Sequence, residues 1–499
     1  MELKLNMKRT FLVGLAFMSI MLFWTMYDTI IAKMLVDNFG LNQTFSGFIM
    51  ALDNILALFM LPLFGRISDK TRTKIGKRMP FIIVGTIVAA TLFVGVAFFD
   101  LYQQIAVSDL GFSLISKGGT PENPVYSFTY GADVFTNTVR SRLADQRARL
   151  IFTELTRHKP GLLIGFIVVL FFVLVAMGIY RSPAVSLMPD VTPKPLRSKA
   201  NAVINFMGTL GGAISYMLVF FFAKGDIFKK TGYVTTFIVT SLLMLALIAV
   251  FVLTVRENAW YKEMVEITER YNLDTLDIDD EGLDVSQHSD DEKMPKDVRR
   301  SFILILTAVV LWFMGYNAAT TKFSVYAFNH LGLEDFSLPP LIGIITATLA
   351  FIPIGIISQK VGRRRMILFG ISVLTVALGA AVFITGETKV LMYIIMGLVG
   401  ISWASINVNS YPMVVEMSRH GNIGVYTGYY YAASMSAMIA TPIFSGFLMD
   451  ITNYYPVLFI YSAVFMGLAF IPMFFVKHGE PAPITNLKPV EDIAEEPKE

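Results

Sequence analysis

Twelve apolar runs, each about 20 residues long, recur along the chain near residues 10–35, 44–64, 79–99, 161–187, 200–222, 232–255, 301–325, 338–357, 366–384, 388–412, 425–449 and 455–476. At about 1.5 Å of helical rise per residue, each can cross the roughly 30 Å hydrocarbon core of a bilayer. The expected fold class is therefore an all-α polytopic membrane protein with twelve transmembrane helices. Composition agrees: 55% of the 499 residues are apolar and 16% charged, against about 25% charged in ordinary globular chains. A soluble enzyme is excluded. The first run, Phe11 to about Leu35, is longer than a signal-peptide core and lacks a small-residue cleavage site, so it reads as a retained span.

A net charge of +3 gives no reason to expect a nucleic acid or another polyanion as partner. Without cysteine there is no disulfide, thiolate catalyst or cysteine metal site. No phosphate-binding loop, nucleophile–base set or spaced His pair is present, so neither enzyme activity, direct ATP drive nor a metal or other cofactor is expected. With the amino terminus on the cytoplasmic side, 27 Lys and Arg fall on that side and 12 on the other, 7 of these within the long segment 100–160. Short loops rich in Lys and Arg stay cytoplasmic. Both termini are expected there, in a multi-pass cell membrane protein of bacterial inner-membrane character.

Four regions follow. Residues 1–255 form an amino-terminal six-helix half interrupted by the external insert 100–160, which ends in a helix around Ala144 to His158. Residues 256–300 hold 14 acidic and 7 basic residues and read as a cytoplasmic linker. Residues 301–477 form the second six-helix half, and 478–499 a disordered tail.

The chain repeats itself. The loop after span 2 reads Gly65-Arg66-Ile67-Ser68-Asp69-Lys70 and ends Gly76-Lys77-Arg78-Met79; the loop after span 8 reads Gly355-Ile356-Ile357-Ser358-Gln359-Lys360 and ends Gly362-Arg363-Arg364-Arg365-Met366. Span 1 carries Trp24-Thr25-Met26-Tyr27-Asp28 and span 7 carries Trp312-Phe313-Met314-Gly315-Tyr316-Asn317. The repeated loop resembles the signature of the major facilitator superfamily, whose two halves are related by an axis along the membrane normal. Gly65 reads as a tight helix exit, Asp69 as a partner for a neighbouring Arg or helix terminus, and the Lys and Arg cluster as headgroup anchors, so that Gly65, Asp69, Arg78, Gly355, Lys360 and Arg364 are gating-loop residues. Within the superfamily, Gly65 to Phe81, Arg181 to Asn201 and Gly208 to Gly212 resemble the glycoside–pentoside–hexuronide:cation symporters and the sucrose:proton symporters. The separation of Arg181 from Asp190 departs from the sucrose branch. The lone span 2 carboxylate Asp53 departs from the melibiose-permease branch and favours a proton over sodium as coupling cation.

An ionisable group at the bilayer centre costs at least about 2.5–3.5 kcal/mol, so Asp28, Asp53 and Arg181 are the candidates for cation coupling. Measured from Arg66 and Asp190, Asp53 lies about 18–20 Å and Arg181 about 13 Å into the membrane, which brings an Asp53–Arg181 contact within reach. Proton uptake by Asp53 would then free Arg181; a static pair that fixes helix packing is the alternative. The resemblance implies a cavity lined by spans 1, 4, 7 and 10, which places Trp24, Tyr27, Arg181, Trp312, Tyr316, Asn317, Trp403, Asn407 and Asn409 around substrate, with Asn201 and Asn205 entering from span 5. Aromatic faces and amides suit a neutral polyhydroxy compound. The expected activity is proton-coupled symport of a sugar or glycoside by a monomer that alternates access. A proton-coupled exporter of an amphipathic compound and a non-transporting sensor or scaffold are the alternatives.

Overall fold

The computed structural model of the chain describes residues 5–119, 124–193, 196–223, 233–270, 295–417 and 423–480. The linker residues 271–294 and the tail residues 481–499 lie outside the described residues. In hydrocarbon, backbone amides find partners only in one another, so helices are the economical way across. The spans are Met7–Lys33, Gln43–Lys70, Met79–Asp109, Gly161–Asp190, Arg197–Phe222 and Val234–Thr254 in the first half. Those of the second half are Lys296–Thr321, Leu338–Val361, Arg363–Ala381, Leu391–Glu416, Ile423–Thr452 and Val457–Phe475. They are numbered spans 1 to 12 below.

The halves pack alike. Span 1 lies on spans 5 and 6 as span 7 lies on spans 11 and 12, and spans 3 and 4 pair as spans 9 and 10 do. Aromatic rings fill the first half, where Phe93 of span 3 touches Phe23 of span 1 (4.8 Å) and Phe237 of span 6 (4.2 Å). In the second, Tyr326 meets Phe459 at 4.7 Å.

Several boundaries move for physical reasons. Span 3 continues past residue 99 to Asp109 because its polar residues are satisfied: Asp100 accepts from Asn38 (2.7 Å) and Gln104 (2.6 Å), and Gln103 donates to the Asn38 carbonyl (3.1 Å). Span 7 ends at Thr321 and a short helix, Phe323–Asn329, follows. The insert contains an antiparallel sheet of β1 (Ser116–Gly119), β2 (Pro124–Tyr130) and β3 (Asp133–Asn137), in that order. Its helix, Arg140–Ile151, continues through Phe152–Thr156 and so starts earlier than the sequence pattern suggests. The linker opens with a helix, Glu257–Arg270.

The halves meet chiefly along spans 2 and 11 and spans 5 and 8. At the end that bears the insert, spans 2 and 11 approach at glycine: a Cβ on Gly47 would lie 2.0 Å from the Pro442 carbonyl oxygen, and one on Gly446 would lie 2.2 Å from that of Gln43. The Asp450 carboxylate, from span 11, accepts from the Gln43 amide (2.9 Å) and the Thr44 amide (2.8 Å) at the start of span 2. Lys322 donates to the Gln43 carbonyl at 2.8 Å, and Asn329 to Asp37 at 2.7 Å. At the opposite end, the bonds of the basic loops run within each half: Arg78 to Asp69 and Asp190, Arg363 to Glu416. The insert end is thus closed by hydrogen bonds that cross from one half to the other.

A leucine at Gly47 cannot fit against Pro442, so Gly47→Leu forces the insert end open. Hydrogen–deuterium exchange of the Gln43 and Thr44 amides is expected to quicken by about ten-fold or more. Exchange equal to that of the parent would contradict the closure described.

Candidate functional site

Between the halves, spans 1 and 4 supply the charged part of the site. The Arg181 guanidinium lies over the Trp24 ring, 5.6 Å from its centroid, within reach of a cation–π attraction. Trp24 packs edge-on against Tyr27 (5.6 Å) and Phe23 (5.1 Å), and Tyr27 directs its hydroxyl at the Ile49 and Met50 carbonyls of span 2, each at 3.4 Å. Asp53, Asp28 and Arg181 feel one another's charge. Among the described residues Arg181 closes no ion pair with either carboxyl. Asp53 instead accepts from the backbone and side chain of Asn54, both at 2.6 Å.

Spans 7 and 10 supply an aromatic wall. Tyr316 stacks on Trp403 with centroids 3.7 Å apart and planes 9° apart, and Phe313 meets the same Trp403 edge-on at 5.4 Å. Tyr316 lies close enough to Asp28 to feel its charge, which sets this wall beside the charged part. Trp24 Nε1, Trp312 Nε1 and Asn317 Nδ2 are buried donors without a protein partner. Such groups are costly unless something else satisfies them.

The amides divide by helical phase. Asn407 is exposed one turn beyond Trp403, with Tyr411 a further turn on, so the three share a face. Asn409 lies on the far side of that helix, 1% exposed, and donates to the Ser405 carbonyl at 2.9 Å. It stands apart from the aromatic wall. Asn201 and Asn205 are exposed on span 5, and the same stripe leads to Gly212, packed beside Thr25 and Ile344, and to Tyr216. Tyr216 lies close to Thr29, Tyr316 and Asp28. It is a residue of the candidate site that sequence reasoning missed; its helical phase with Asn201 and Asn205 was the available signal. Tyr431 was missed too, although it faces Arg181 from span 11 and belongs to a cluster with Tyr411 and Tyr430. Among the described residues no group of three His, Asp or Glu could hold a metal.

The signature loops form a second set. Arg78, 3% exposed, donates through Nε to Asp190 at the end of span 4 (2.9 Å), bonds Asp69 and Ser68, and reaches the Gly65 carbonyl (3.4 Å). Gly65 is not a helix exit. Span 2 runs on to Lys70, and a Cβ on Gly65 would lie 3.2 Å from Ser182 Oγ, so its smallness serves the approach of span 4. Gly355 likewise lies inside span 8, where a Cβ would meet nothing within 4 Å. The left-handed turns that end these loops are at Gly76 (φ 130°) and Gly362 (φ 99°). Lys360 is exposed, and Arg364 bonds the Phe474 carbonyl and covers the Phe474 ring.

Each loop is closed by a glutamate that follows the last helix of its own half. Glu257 accepts from the amides of Lys77 (2.8 Å), Arg78 (2.9 Å) and Met79 (3.0 Å) at the start of span 3. Glu480 accepts from those of Arg363 and Arg364, both at 2.8 Å, at the start of span 9. These are the helix's orphan donors at its positive end. Burial pushes the Glu257 carboxyl upward and the three amides pull it back. The Glu recurs a few residues beyond span 6 and span 12, so its position in the two halves is a further repeat.

A sequence profile of the Major Facilitator Superfamily matches residues 150–439 and 341–499, and one described as MFS/sugar transport protein matches residues 12–114. The chain belongs to the major facilitator superfamily. As in that family generally, it is a membrane transporter and not an enzyme. The inward-open xylose transporter XylE from E. coli superposes with a TM-score of 0.58 at 16% identity, over 95% of this chain and 96% of that one. A bacterial homologue of the iron transporter ferroportin, inward-facing, gives 0.61 at 13% identity over 94% and 99%. The nucleoside transporter NupG gives 0.55 at 15% identity over 95% and 100%. These likenesses establish the fold. No curated protein sequence matches the chain.

The two glutamates differ in burial, since the Glu257 residue is 2% exposed. Glu257→Ala is expected to cost about 2 kcal/mol of stability, the upper range for losing a helix cap. The thermal midpoint in detergent should fall, with Glu257→Gln recovering part of the loss. An unchanged midpoint for Glu257→Ala would show that the cap holds nothing.

Proposed function

We propose that this major facilitator transporter carries a sugar or glycoside in symport with a proton, as in the glycoside–pentoside–hexuronide:cation and sucrose:proton branch that its first half resembles. The placement of Arg181 over Trp24, beside Asp53 and Asp28 and across from the Tyr316–Trp403 stack, carries this reading. Stacked rings offer flat apolar surfaces to sugar C–H groups, while Asn201, Asn205, Asn407, the Trp24 indole and Asn317 meet hydroxyls; Trp312, fully buried in the core of the second half, stands behind this surface and does not line it. The Arg supplies a charge-assisted bond to one substrate oxygen.

Coupling follows from charge. With Asp53 ionised, its field and that of Asp28 hold Arg181 toward spans 1 and 2. A proton on Asp53 removes one of the two negative charges and releases Arg181 toward substrate. Loss of the proton on the other side of the membrane reverses the order and expels the sugar. Asp53 is the primary proton carrier, with Asp28 setting the local field. The preponderance of Lys and Arg on the loop side orients that end and both termini toward the cytoplasm of a bacterial inner membrane. On that orientation the hydrogen-bonded closure of the insert end faces outward, which supports an inward-facing state of a monomer that rocks its halves around a midplane site.

The test is uptake of a labelled disaccharide panel into proteoliposomes with and without an imposed inward proton gradient. One sugar should accumulate under the gradient, Asp53→Asn should abolish the gradient's effect while leaving exchange, and Trp24→Ala should raise KM by about ten-fold, the loss of roughly 1.4 kcal/mol of stacking and cation–π contact. No sugar uptake under any gradient would overturn the cargo. Undiminished gradient-driven uptake by Asp53→Asn would overturn the coupling route.

A further inference from the structure

The insert between spans 3 and 4 is a folded unit with its own core. Val107, Phe112, Phe128, Leu143, Ile151 and Leu155 are buried together, and the strands stack Phe112 on Tyr130 (4.2 Å) and Phe128 on Phe135 (4.9 Å). Its helix Arg140–Ile151 is fastened to the first half. Arg147 donates to the carbonyls of Ser113 (2.9 Å) and Asp37 (3.2 Å), and Thr156, at the end of the same helical run, donates to the Phe39 carbonyl (2.8 Å) and receives Gln103 (3.1 Å).

The same helix reaches the other half at three places. Tyr455, between spans 11 and 12, donates its hydroxyl to Asp145 at 2.8 Å. Arg149 donates to the Asn453 side chain at 2.6 Å. Arg140 lies over the Phe328 ring, 5.1 Å from its centroid. Helical phase explains the grip: Asp145 and Arg149 are one turn apart and face the span 11–12 turn together. A helix bonded on one side to spans 1 and 3 and on the other to spans 7, 11 and 12 cannot keep both sets of bonds when the halves separate at this end.

We propose that the insert is an external latch: it clasps the second half while the insert end is closed, and lets go of Asn453, Tyr455 and Phe328 when that end opens. This gives the insert a part in the transport cycle beyond the closure made by spans 2 and 11 themselves. The bonds it must release are few, exposed at Arg149 and polar, so water can replace them when the clasp opens.

The absence of native cysteine makes the test direct. Ser46, fully buried one residue before Gly47, is replaced by cysteine as a reporter of opening at the insert end. Its reaction rate with a maleimide is measured on detergent-purified protein. In the Asp145→Ala, Arg149→Ala background, which leaves the Gln43–Tyr455 bond of the span 2 closure in place, the rate should rise by about five-fold or more, and Lys117→Ala, an exposed change on the sheet of the same insert, should leave it at the parent's value. Equal rates in the parent and in the latch variant would overturn the proposal. If the double change harms folding, Arg149→Ala alone alters an exposed side chain and should give a smaller rise; no rise there overturns the proposal equally. The readout needs no transported substrate, so a failure of the sugar assignment and a failure of the latch are separate results.

Discussion

At one end of the molecule the two halves are held together by a carboxylate from one of them capping a helix of the other. Span 2 begins with amides that no earlier turn of its own helix can satisfy. Asn42 takes one of these, and Asp450 of span 11 takes those of Gln43 and Thr44. The backbones come close enough for this only because Gly47 and Gly446 carry no side chain. A hydrogen bond to a charged group contributes about 1.5–3 kcal/mol net. That suffices to favour the closed end, yet each of these amides can bond water instead once the end opens. A transporter needs such an interface, firm but replaceable by solvent, because it must leave this state in every cycle.

The opposite end is built on another principle. There the polar bonds stay within each half: Arg78 ties span 3 to Asp190 of span 4, and Arg363 ties span 9 to Glu416 of span 10 at 3.3 Å. Glu257 and Glu480 close the two loops by capping the third helix of their own halves. Each half is thus braced within itself at this end. The repeat seen in the basic loops is a repeat of this internal bracing.

Much of this was readable from residues alone. Twelve apolar runs locate twelve spans because hydrocarbon tolerates little else, and the duplicated Gly-Lys-Arg and Gly-Arg-Arg loops mark the halves. Residues of spans 1 and 4 meet at Trp24 and Arg181, and those of spans 7 and 10 at Tyr316 and Trp403, as the four-span cavity implied by the resemblance leads one to expect. Other features had no linear signature. Asp450 and Glu257 act on backbone amides hundreds of residues away in sequence, and an amide cap looks the same whatever the capped residues are. Asp100 and Gln103 read as the end of a span because hydropathy counts charge and cannot see their partners Asn38 and Thr156. The short, Gly-containing strands of the insert carry too little pattern to stand out from loop. Asn409 was grouped with Asn407 by proximity, while helical phase sets them on opposite faces.

If the two halves rock about the site between them, closure at the insert end gives way to closure at the loop end. Pulsed electron paramagnetic resonance on spin-labelled pairs reads this, with Phe45→Cys and Tyr454→Cys spanning the halves at the insert end, and Arg72→Cys and Arg365→Cys spanning them at the loop end. In liposomes two populations are expected whose distances move in opposite senses, the insert-end pair lengthening as the loop-end pair shortens when pH or substrate is changed. Distances that stay fixed at both ends, or lengthen together, would rule rocking out.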